Sequence, residues 1–144
     1  MGTVQDILNR KGRAVHSIGA TGSVLDAARL MNDLGVGGLV VVEGESAVGM
    51  FTERDILRRV VAARLDPATT KVRDVMTSPI AVCRPGTSMT ECRAVMTEKR
   101  IRHLPIVDGK QLLGMVTIGD LLAHEVGEHE TTIEFLNSSI FGRR

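Results

Sequence analysis

The sequence predicts a mixed α/β (α+β) fold built from two β-α-β-β-α units packed sheet to sheet around a pseudo-twofold axis. Three observations lead there. Ser23 to Leu57 aligns without a gap on Ser88 to Leu122, a spacing of 65 residues. Each copy holds two apolar runs joined by an acid-Gly pair, the signature of a hairpin. Segments of helical apolar spacing flank each hairpin. A three-stranded sheet with one helical face is marginal alone, so the copies should bury their sheets against each other.

Ten aligned pairs are identical, among them Met31 and Met96, Leu39 and Leu104, Gly49 and Gly114, Met50 and Met115, Thr52 and Thr117, Asp55 and Asp120, and Leu57 and Leu122. Ahead of this core the register shifts by three, and Thr3 to Leu8 echoes Lys71 to Met76 as a short helical lead-in. Residues 1–66 therefore form the first repeat, and 67–144 the second repeat with a tail. A short strand is expected at Ala14 to Ile18 and again at Ile80 to Cys83. Helices begin at Ser23 and Ser88, where Ser88 with Glu91 spells a capping box and Ser23 with Asp26 its weaker counterpart. Val24, Ala27, Ala28 and Met31, like Met89, Cys92, Val95 and Met96, fall on one helical face and read as core.

The hairpins span Leu39 to Val42 with Ala47 to Phe51, and Leu104 to Val107 with Leu112 to Val116. A further helix follows each, from about Glu53 to Arg64 and from Ile118 to about Val126. Pro67 stops the first, leaving Leu65 to Thr70 as linker. In the tail, Ile133, Leu136 and Ile140 share a helical face that could pack back or meet a partner.

Composition removes several functions. Eighteen Lys and Arg against 17 Asp and Glu give a formal charge of +1, too balanced for a nucleic-acid footprint. With three Phe and no Trp or Tyr, a bound base must lie against aliphatic side chains. No apolar run approaches the ~18 residues of a membrane span and the N-terminus lacks a signal-peptide core, so no membrane and a cytoplasmic address are expected. Cys83 and Cys92 lie on a strand and a helix without metal-ligand spacing and read as buried reduced thiols.

The shared motif Gly-Met-x-Thr-x-x-Asp stands as GMFTERD at Gly49 to Asp55 and GMVTIGD at Gly114 to Asp120. Each ends a strand and opens a helix, where free N–H groups and a partial positive charge suit a phosphate. The Thr hydroxyl can meet a phosphate or sugar oxygen, and the Asp carboxylate can accept from ribose hydroxyls. The plainer reading is helix capping, since Thr-x-x-Asp is close to a capping box and duplication copies caps as well.

The whole pattern resembles a tandem pair of CBS domains, a Bateman module of the standalone bacterial type, over nearly all of the chain. That resemblance implies two pseudo-symmetric nucleotide sites in the cleft between the sheets. Thr52 and Asp55 would serve one site, Thr117 and Asp120 the other. Backbone on the first strand of each copy would read adenine, at Val15 and His16 and at Ile80 and Ala81, with Thr77 just ahead. Residues before the second strand would lie near the ligand: Val36, Gly37 and Gly38, then Ile101, Arg102 and His103. The copies differ most there, because Gly35, Gly37 and Gly38 oppose Arg100, Arg102 and His103. Arg and His can pair with a phosphate, whereas glycines give space, so the sites should differ. Arg54, opposite Gly119, could supply a cation to the first.

Other chemistry finds less support. Gly35-Val36-Gly37-Gly38 lacks the third glycine of a dinucleotide fingerprint and precedes a strand. His124, Glu125 and His129 have the wrong spacing for a zinc helix. No nucleophile elbow or Cys-His pairing is evident. The expectation is a non-enzymatic regulatory module that binds AMP, ATP, NAD or a related adenosine ligand and acts as an energy or metabolite sensor. As the resemblance implies, it would pair into a homodimer and signal to an unidentified target protein. A ligand-independent oligomerisation scaffold and a nucleotide-converting enzyme are the alternatives.

Overall fold

A computed structural model describes residues 2–129; the tail with Ile133, Leu136 and Ile140 lies outside the described residues. The chain opens with α1 (Val4–Lys11) and β1 (Ser17–Gly19), followed by α2 (Val24–Leu34) and the hairpin β2 (Gly38–Glu43) and β3 (Ser46–Thr52). A single turn, α3 (Glu53–Asp55), continues as a π-helical segment, Ile56–Val61. The second half comprises α4 (Val72–Val75), α5 (Met89–Lys99), the hairpin β4 (His103–Asp108) and β5 (Gln111–Thr117), and α6 (Ile118–His129).

The repeat is plain in the register. Gly38 faces Thr52 in one hairpin and His103 faces Thr117 in the other, with a bulge at matching places, Val41/Val42 and Ile106/Val107. Gly44 and Gly109 turn the hairpins with φ of 61° and 63°, a conformation glycine enters at no steric cost. Ser23 and Ser88 cap α2 and α5 by accepting from the N–H of Asp26 and Glu91.

Two expectations about the first strand need correction. In copy one it lies at Ser17–Gly19, later than Ala14 to Ile18, and pairs in parallel with β2. In copy two Ile80 to Cys83 form no strand, only a bridge from Cys83 to Ile106, leaving a two-stranded sheet. The reason is one residue. Val40 donates its N–H to the His16 carbonyl at 3.1 Å, and the residue aligned with Val40 is Pro105, which has no N–H to give the Ala81 carbonyl. The helix expected over Glu53 to Arg64 also ends at Val61, and it is π-helical from Ile56 onward.

The lead-ins are exchanged, which the boundary at residue 66 did not anticipate. Val4, Ile7 and Leu8 of α1 join the core of copy two with Cys83, Met89, Cys92, Met96, Leu104 and Leu121. Val72 and Val75 of α4 join the core of copy one with Val24, Met31, Leu39, Phe51 and Val60. Backbone bonds fix both crossings, from Val4 N–H to the Thr87 carbonyl at 2.9 Å and from Val72 N–H to the Gly22 carbonyl at 2.8 Å. Between the sheets, Val40, Met50 and Met115 form a third cluster with Val15 and Ile80 against it, so the duplicated methionines meet at the pseudo-axis.

The crossings explain the duplicated glycine of the motif. A Cβ on Gly49 would sit 2.5 Å from Met76 Sδ and 2.9 Å from the Thr77 carbonyl oxygen; one on Gly114 would sit 2.8 Å from Leu8 Cδ2. Backbone cannot yield as a leucine methyl can. Gly49→Ala should therefore cost about 1–3 kcal/mol, the range for overpacking a tight site, and Gly114→Ala clearly less. Urea denaturation of both variants checks the order.

Candidate functional site

The strand-to-helix junctions are capped in both copies. Thr52 donates its N–H to Asp55 Oδ2 at 3.0 Å, and Asp55 returns its N–H to Thr52 Oγ1 at 3.4 Å. Thr117 and Asp120 repeat this at 2.9 and 3.1 Å. The N–H groups of Glu53 and Ile118 go to the carbonyls of Gly37 and Arg102, each at 3.0 Å. The residues before the second strands thus anchor the helix starts. The N-terminal amides expected to be free are largely spent on these bonds.

Asp55 is buried, and its second oxygen accepts from Thr77 Oγ1 at 3.0 Å, with Arg59 Nε at 3.7 Å. Thr77 follows α4, so the exchanged lead-in places a hydroxyl of copy two on the carboxylate of copy one. Asp120 instead accepts at Oδ2 from Lys11 Nζ at 2.8 Å.

A cleft of about 900 Å³ opens beside Asp55. Copy one lines it with Gly37, Met50, Thr52, Glu53, Arg54, Asp55, Arg58 and Arg59. Copy two lines it with Thr77, Pro79, Ile80, Ala81, Lys99, Arg100, Ile101, Arg102, His103, Thr117 and Ile118. The structure therefore brings together Thr52, Arg54 and Asp55 with Thr77, Ile80, Ala81, Ile101, Arg102 and His103, residues the repeat alone distributes over two copies. Val15, His16, Val36, Gly38 and Asp120 do not line this cleft. Val15 packs between the sheets, Val36 against the core of copy one, and the exposed His16 gives its carbonyl to Val40. Gly38 lies behind the wall, where a Cβ would meet the His103 ring at 3.3 Å.

Arg58, Arg59 and Lys99 were missed in the sequence. They lie outside the duplicated motif, and only the packing of α3 and its π segment near the end of α5 brings them together. Arg59 also donates to the Met76 carbonyl at 2.8 Å, and Arg54 to the Arg100 carbonyl at 3.1 Å. Arg58, Lys99, Arg100 and Arg102 make no side-chain hydrogen bond or ion pair among the described residues, so their charge is available to an anion. Arg100 has φ 56° at the end of α5, where copy one has Gly35 at φ 67°. A non-glycine residue in that region is strained, and such strain gathers at functional sites.

No group of three or more His, Cys, Asp or Glu that could hold a metal occurs among the described residues. No described helix is long and apolar enough to cross a membrane. Cys83 and Cys92 are free and buried side by side; the hydrogen bond between their thiols, then burial, push the Cys83 thiol well above its ordinary range.

His103 has its imidazolium disfavoured, first by burial and then by the Arg102 charge, so its pKa lies below the ordinary 6.5. The unfolded chain then takes up this proton before the folded one does. Stability associated with His103 is present above pH 6.5 and is lost as pH falls from there toward the folded pKa. His103→Gln should flatten that part of the profile in urea titrations between pH 7.5 and about 5.

Residues 4–62 and 72–127 each match the CBS domain family. A mitochondrial CBS domain-containing protein of Arabidopsis thaliana, CBSX3, is 34% identical over 97% of this chain and 72% of its own length. The Bacillus subtilis CBS domain-containing protein YhcV is 32% identical over 96% of each chain. The solved structure of a CBS-domain protein from Burkholderia ambifaria superposes with a TM-score of 0.86 at 39% identity, covering 92% of this chain and 99% of that one.

Proposed function

The chain belongs to the CBS-domain family as a tandem pair, and from that premise we propose that it is a regulatory module binding an adenosine nucleotide in the cleft beside Asp55. The observation that carries this reading is the make-up of the cleft. Met50, Ile80, Ala81, Ile101 and Ile118 give an aliphatic surface for a base, while Arg54, Arg58, Arg59, Lys99, Arg100 and Arg102 oppose only Glu53 and Asp55. An aliphatic wall beside surplus cations suits a flat base that carries phosphates. Its volume is within the ~300–1,000 Å³ of small-ligand sites.

Pro105 adds an acceptor to this arrangement. Since it cannot donate to the Ala81 carbonyl, that oxygen, on a lining residue, has no backbone donor among the described residues and can accept from an exocyclic amine. Thr52 and Thr77 offer hydroxyls toward a sugar. Asp55, already engaged in four hydrogen bonds or ion contacts, holds those hydroxyls in place as much as it contacts a ligand.

AMP, ATP and NAD are the ligands to try, and the cation surplus favours the one with most phosphates. The free thiols suit a reducing compartment such as the cytoplasm. Homodimerisation through helices is supported by exposed Leu57, Val61 and Leu122, which are 62%, 62% and 51% accessible on α3's π segment and on α6. The listener would be a target protein sensing the liganded shape, through a difference in affinity between two states.

Calorimetric titration tests the reading: ATP should bind more tightly than AMP, and heat from neither up to millimolar concentration would refute it. Arg100→Gly should weaken ATP several-fold while stabilising the fold by about 1 kcal/mol through relief of the left-handed strain. Pro105→Ala should weaken binding as well, because a restored N–H competes for the Ala81 carbonyl. For assembly, mass measurement in solution should give a dimer that Leu57→Asp with Leu122→Asp converts to monomer.

A further inference from the structure

The lead-ins occupy matching places, yet they end differently. In the register that aligns Thr3 with Lys71, Asn9 matches Thr77 and Lys11 matches Pro79. After α4 the chain leaves the helix at Met76, so Thr77 reaches Asp55 and Pro79 lines the cleft. The helix α1 runs on to Lys11. Asn9 consequently stays on the helix surface, accepting from Gln5 Nε2 at 2.9 Å, and Lys11 projects to the carboxylate that corresponds to Asp55.

There the ammonium is held twice, by Asp120 Oδ2 at 2.8 Å and by the Met115 carbonyl at 3.1 Å, while Arg10 Nη2 donates to the Asp120 carbonyl at 3.4 Å. Met115 is the partner of Met50, which lines the open cleft. Lys11 thus stands on the carboxylate and beside the strand that a ribose would need in the second half. The base acceptors differ less: the His16 carbonyl receives the Val40 N–H and keeps one lone pair for a ligand, whereas its partner at Ala81 receives no backbone N–H among the described residues. Asp55 is engaged internally too, but its cation, Arg59 Nε, stands off at 3.7 Å, whereas Asp120 carries the Lys11 ammonium in direct contact.

We propose that the second nucleotide position is latent, held shut by Lys11 acting as an internal cationic ligand of Asp120, so that each chain takes one nucleotide. This rests on the reading of the first cleft as a nucleotide site. It makes the duplicated Thr-x-x-Asp do two jobs: Asp55 organises a binding site, and Asp120 ties α1 to copy two.

The test is the number of ATP molecules bound per chain, by calorimetry on the full chain, for the wild type and for Lys11→Met, which keeps the aliphatic stem without the charge. One equivalent is expected for the wild type and two for the variant. Two for the wild type, or an unchanged number in the variant, would overturn the proposal. None for the wild type and one for Lys11→Met would support the latch while refuting the reading of the first cleft. Lys11→Gln serves as the second variant should Lys11→Met not fold. An independent readout needs no variant: acetylation mapped by mass spectrometry should modify Lys11 at least several-fold more slowly than the exposed hairpin residue Lys110. Equal rates would also overturn the proposal.

Discussion

Each half of this protein completes its core with a helix from the other. Val4, Ile7 and Leu8 fill the apolar face of copy two, and Val72 and Val75 that of copy one. Burying such side chains stabilises by about 1.5–3 kcal/mol each, so undoing the crossings would cost each half several kcal/mol. The Met50 and Met115 contact between the sheets adds to this. The glycines at 49 and 114 are small because the crossing segments pass over them.

The crossing also builds the cleft. Thr77 reaches Asp55 only because α4 crosses to copy one, and the chain from Pro79 to Ala81 then forms a wall of the cleft. Opposite it, the start of the π segment of copy one faces the end of α5. Six cations and an aliphatic surface come together from segments far apart in sequence, around a carboxylate that is buried and bonded. Asp55 caps α3 and also holds the Thr52 and Thr77 hydroxyls beside the cleft, so under the proposed function capping and ligand binding would draw on one set of contacts.

Asymmetry enters through single residues at equivalent positions. Pro105 for Val40 removes one ladder bond and frees a carbonyl; Arg100 for Gly35 accepts a strained backbone and gains a cation; Lys11 for Pro79 brings an ammonium to Asp120. Each change alters which polar groups are satisfied. A duplicated fold can in this way keep one architecture and two differently disposed junctions.

Much of this was legible in the sequence. The 65-residue repeat, the Gly44 and Gly109 turns, the serine caps and the core faces of α2 and α5 follow from local rules, because periodicity, turn conformation and capping depend on residues a few positions apart. The motif pairs Thr52 with Asp55 and Thr117 with Asp120 were equally local. The first strand of copy two was misread because its pairing depends on Pro105, more than twenty residues away. Arg58, Arg59 and Lys99 were missed because no local pattern sets a lining residue apart from an exposed one. The exchange of the lead-ins, the union of both copies' residues in one cleft and the seat of Lys11 on Asp120 were decided by tertiary structure alone. They depend on which apolar face finds which partner, and two similar copies offer similar faces that only the packing of the folded chain distinguishes.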